Sequence, residues 1–107
     1  MRYLMTTRPT ENAPDENLHT EMARFVEELT ASGVLLATGG LEPGGLRVTS
    51  AGDEITVTDG PFTEAREAVA GFALVEVRSR EEALEVARRF RRIVGDGESV
   101  VQQVFGP

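Results

Sequence analysis

The order of apolar and polar positions changes period several times along the chain, and each change marks an element. Residues 2–7, Arg-Tyr-Leu-Met-Thr-Thr, read as a short strand. A polar loop follows, with Pro9, Asn12, Pro14 and Asp15 as breakers. Leu18, Met22, Phe25, Val26 and Leu29 then fall at i, i+4, i+7, i+8 and i+11, which is one face of an α-helix. Glu21, Arg24, Glu27 and Glu28 take its wet side. Asp15 or Asn17 is placed to cap the start of this helix, and Gly33 to close it in a left-handed conformation.

Val34-Leu35-Leu36-Ala37 begins a second strand, which the run from Gly39-Gly40 to Gly44-Gly45 breaks. Residues 46–49 and 54–58 are two β-rich runs around Ala51-Gly52-Asp53, the pattern of a hairpin. Asp59-Gly60-Pro61-Phe62 is a turn stiffened by proline, and residues 63–68 are helix-prone. Residues 71–77 are apolar on both faces and form the best central strand. Ser79, with Glu82 three residues on, forms a capping box for a second helix. Ala83, Ala87, Phe90 and Val94 are its inner stripe, with Leu84 and Ile93 beside them, and Gly95-Asp96-Gly97 ends it. The last strand runs from Ser99 to Phe105.

The order is β-α-β, a hairpin, then β-α-β, which predicts a single α+β domain over residues 1–107 of the ferredoxin-like, split βαβ type with an inserted hairpin. Two amphipathic helices cover one face of such a sheet. Leu4, Phe72 and Leu74 remain on the other, so the expectation is a twofold homodimer packed through that face.

Composition narrows the chemistry. The 107 residues include no Cys, no Lys and one His, His19. Thiolate nucleophiles, Schiff-base lysines and multi-histidine metal sites are thereby excluded within one chain, and neither a metal nor a cofactor is expected. The net charge of −7 argues against nucleic acid. Arg78, Arg80, Arg88, Arg89, Arg91 and Arg92 are interleaved with Glu76, Glu81, Glu82 and Glu85, which reads as a wet, mixed-charge helix face. The first residues lack a signal-peptide core, and no apolar run approaches a membrane span, so the expected location is cytoplasmic.

The run Val57-Thr58-Asp59-Gly60-Pro61-Phe62-Thr63-Glu64 resembles the signature of the YCII-related proteins of the DGPF type. Glu27-Glu28-Leu29, Gly33-Val34-Leu35-Leu36, Gly40-Leu41 with Pro43, Ala70-Gly71-Phe72, Glu81-Glu82-Ala83-Leu84-Glu85 and Gln103-Val104-Phe105 follow the same family in order. The resemblance implies a dimeric α+β barrel. It also implies a pocket near the dimer interface, where the wider group is suspected to use a His–Asp pair for acid–base work. Asp59 matches the Asp of that pair. The His position falls on Met22, and His19 stands three residues earlier. One branch of the group is associated with removing chloride from a hydroxylated ring.

The candidate catalytic residues are therefore Asp59 and His19, and the candidate pocket residues are Met22, Gly40, Phe62, Phe72 and Glu76. Each has a structural alternative. Asp59 can cap its turn through the N–H groups after Pro61. His19 can be an exposed helix residue, and Met22 core. Glu76 can pair with Arg78 or another arginine. Gly39-Gly40 and Gly44-Gly45 lack the spacing of a phosphate loop and suit bulges or tight turns. Two functions remain open. One is a cofactor-free lyase, isomerase or dehydrohalogenase for a small molecule, using Asp59. The other is a non-catalytic dimeric module that binds a ligand or serves a regulatory partner.

Overall fold

Residues 1–8, 16–60 and 69–106 are described by the computed structural model. The elements are β1 (Arg2–Thr7), α1 (Glu16–Ala31), β2 (Leu35–Gly40), β3 (Leu46–Ala51), β4 (Glu54–Asp59), β5 (Gly71–Glu76), α2 (Arg80–Val94) and β6 (Ser99–Val104). Four strands form one antiparallel sheet in the order β2-β5-β1-β6, the ferredoxin-like arrangement, and β3 with β4 forms a separate two-stranded ribbon. The helix-prone segment 63–68 and Phe62 lie outside the described residues.

Tyr3 and Met5 of β1 sit in register with Val75 and Ala73 of β5, and their side chains share the face under the helices. Phe25 and Leu29 from α1 and Ala83, Val86 and Ala87 from α2 complete that core. Val86 takes a buried place, while Leu84, expected beside the inner stripe, is exposed. The helices are also joined at their surface. Arg89 pairs with Glu28 and lies 4.9 Å from the centre of the Phe25 ring.

The caps follow the sequence closely. The Ser79 hydroxyl accepts from the Glu82 N–H at 3.1 Å. The Glu82 carboxylate accepts in return from the Arg78 N–H at 3.3 Å, one residue before the expected position. Gly33 closes α1 with φ of 80°. Asn17 lies inside α1 and is not its cap; Asp15 lies outside the described residues.

Two expectations change. β2 does not break at Gly39-Gly40 but runs through both, pairing them with Phe72 and Gly71. A Cβ on Gly39 would stand 3.3 Å from the Phe72 ring, so the missing side chain is what lets the ring lie over the strand. Gly44 and Gly45 do form the tight turn expected, with φ of 86° and 91°. Gly60 packs on them, donating its N–H to the Gly45 carbonyl at 2.8 Å.

Candidate functional site

Between the sheet and the two helices lies a cavity of about 140 Å³. Met5 and Leu35 form its floor, Met22, Phe25 and Leu29 the α1 wall, and Val86, Ala87 and Phe90 the α2 wall. Phe72 borders it at the start of β5, between Gly71 and Ala73, while strand alternation turns its side chain to the opposite face of the sheet. Thr6, Thr7, Thr38 and Ser99 are also among its lining residues. An apolar space of this size suits a ring-sized guest, and the hydroxyls can orient an oxygenated one.

The polar end is held by a residue that was placed on the wet face. The Arg91 guanidinium donates to the Thr7 hydroxyl at 3.1 Å, to the Ser99 hydroxyl at 3.2 Å and to the Gly95 carbonyl at 2.8 Å. Thr7 and Ser99 are direct partners across β1 and β6, so one arginine fixes a pair of hydroxyls. Arg91 is half-buried, unlike Arg88 and Arg92, which pair with Glu85 in solvent. The sequence did hold a signal. Arg91 lies four residues after Ala87 and eight after Ala83, on the inner stripe itself.

The expected site residues do not gather in one place. Met22 and Phe72 line the cavity. His19 is exposed on α1. Gly40 ends β2, where the next N–H, that of Leu41, donates to the Ala70 carbonyl at 2.8 Å. Glu76 does not pair with Arg78. Its carboxylate meets Arg2 at 3.5 Å and the Met1 amino group at 3.7 Å, half exposed at the end of β5. Asp59 is exposed at the end of β4, opposite Leu46 across the hairpin. The N–H groups it was expected to cap lie outside the described residues. Among the described residues no titratable side chain lines the cavity, and no cluster of three potential metal ligands forms.

The comparisons with known proteins can now be placed on this geometry. The profile of the YCII-related domain matches residues 1–103. The chain belongs to the YCII-related family. This YCII-related chain also resembles a solved 5-chloro-2-hydroxyhydroquinone dehydrochlorinase from Burkholderia phenoliruptrix AC1100, in complex with 2,5-dihydroxybenzoquinone. The match covers 100% of this chain and 96% of that one, at 13% identity and a TM-score of 0.53. At that identity the likeness shows a shared fold. No curated protein matches the sequence. No helix among the described residues is long and apolar enough to cross a membrane.

Proposed function

We propose that this YCII-related protein is a homodimeric, cofactor-free enzyme of the lyase, isomerase or dehydrohalogenase type, acting on a small oxygenated ring compound. The cavity carries the reading. Its walls are mostly apolar, as a ring requires, and Thr7, Thr38 and Ser99 on its lining are hydroxyl residues that ring oxygens can meet. Chemistry of this type moves a hydroxyl proton to a carboxylate while a leaving group departs with its bonding pair. No external oxidant or metal is consumed. The likeness to a dehydrochlorinase fold supports the substrate class.

Asp59 is the proposed proton acceptor. It stands on the apolar side of the hairpin, so covering that side in a dimer removes its carboxylate from water. Gly40 is proposed to border the same region, and His19 to assist from α1. Glu76, held by Arg2, is proposed as a rim residue. The second reading is a binding module without turnover. It is favoured by one observation: the cavity walls described here contain no acid or base.

Titration with 2,5-dihydroxybenzoquinone and chloride release from a chlorinated hydroxyhydroquinone separate the two. The enzyme reading expects both in the native protein, and in Asp59→Asn retained binding with chloride release down at least about 100-fold. Binding without release in either protein establishes the module. Absence of binding removes the cavity from the argument.

A further inference from the structure

The β3–β4 hairpin is amphipathic in a way its own chain does not use. Val48 pairs with Val57, Leu46 with Asp59 and Ser50 with Ile55, so Leu46, Val48, Ile55 and Val57 all project from one side. Arg47, Thr49, Glu54, Thr56 and Thr58 occupy the other. The four apolar residues are 68, 63, 72 and 61% exposed. Neither hairpin strand has extensive contact with the four-stranded sheet or with a helix. The radius of gyration, 16.0 Å, exceeds the roughly 13 Å expected for a compact chain of this length, as a projecting arm requires.

A two-stranded ribbon is marginal in water unless its apolar side is covered. Among the described residues a second surface is left without a partner. Leu4, Leu74 and Phe72 lie on the sheet face away from the helices, in register with one another or with Thr6, and Val100 and Val104 extend the strip on β6. Strands of both surfaces are six residues long, so their lengths match at roughly 20 Å. Since neither hairpin strand has extensive contact with its own sheet, a twofold copy is the arrangement in which each surface covers the other.

We infer that the hairpin is an exchanged arm, laid across the open sheet face of a second copy of this chain, with Asp59 desolvated at the junction of the two protomers. This rests on the dimer proposed above and adds how it is built. Four residues two-thirds exposed present on the order of 200–300 Å² of apolar surface. Two arms and the two strips beneath them remove on the order of 1,000 Å² from water, the lower bound for a specific interface.

The test is sedimentation of the native protein, Ile55→Asp and Thr56→Glu at micromolar concentration, with amide exchange of the hairpin. The expected result is a native dimer, a Thr56→Glu dimer, and an Ile55→Asp chain whose dimerisation is weakened roughly 30-fold or more with its circular dichroism unchanged. A dimer that persists in Ile55→Asp, with unprotected hairpin amides, overturns the arm and leaves the dimer standing. A monomeric native protein overturns both. Should Ile55→Asp lose structure, exchange in the native protein decides. Hairpin protection that vanishes on dilution supports the arm, and protection at every concentration shows the strip covered within one chain and overturns it.

Discussion

Filling the cavity is the sharpest test of whether it is real empty space. Ala87 is buried on α2 and lines the cavity wall. Replacing it by leucine adds three carbons. At about 0.8 kcal/mol per buried carbon the gain has a ceiling of about 2.4 kcal/mol. A second route gives the same scale. A void of about 140 Å³, at ~24 cal/mol per Å³, costs about 3 kcal/mol relative to a filled core. The cavity is partly open to solvent, and leucine gives up rotamer freedom on burial, so we expect a net gain of about 1 kcal/mol. That corresponds to a rise in Tm of roughly 4–8 °C for a domain of this size. The melt is run at one fixed protein concentration, because dimerisation makes Tm depend on it. The same variant is expected to lose binding of 2,5-dihydroxybenzoquinone. A fall in stability of about 1–3 kcal/mol is the signature of overpacking, and it would refute the claim that space stands open beside Ala87.

Two further changes probe the frame around the site. Ser79→Ala removes the acceptor for the Glu82 N–H and is expected to cost about 1 kcal/mol, read from denaturant melts. Gly60→Ala places a Cβ 3.0 Å from the Gly44 Cα and the Gly45 carbonyl oxygen, both backbone. Its expected effect is a loss of about 1–3 kcal/mol confined to the hairpin base, seen as faster amide exchange over residues 46–59 with the helices unchanged.

Much of the fold was legible because its signals are local. The stripe from Leu18 to Leu29, the Ser79 cap and the Gly33 stop each lie within a few residues of their partners, and each appears where the pattern put it. What failed depended on pairing across strands. Gly39-Gly40 reads as a break until Phe72 and Gly71 are known to lie opposite it. Glu76 reads as the partner of an arginine, Arg78 or another, and only the pairing of β1 with β5 shows that it is Arg2. The candidate site was harder still. Met22 and Phe72 were legible as apolar residues on predicted inner or central positions, and both line the cavity. Thr7 and Ser99 look like strand-end residues with no role. Their use appears only when β1 and β6 pair and Arg91 reaches both.

The division of labour among Met22, His19 and Asp59 sets a condition on any chemistry this protein performs. The α1 position that faces the cavity is a thioether, which neither takes nor gives a proton. The imidazole of His19 is exposed on the same helix, away from the cavity lining. Asp59, the proton acceptor proposed above, is exposed in a single chain and does not line the cavity either. Covering the hairpin with a second copy would bury the Asp59 carboxylate, but on the sheet face away from the helices and across the sheet from the cavity. A ring held in the cavity and a carboxylate on the buried arm would stand on opposite faces of the sheet, so loss of chloride release in Asp59→Asn with ring binding retained is the result that would connect the two.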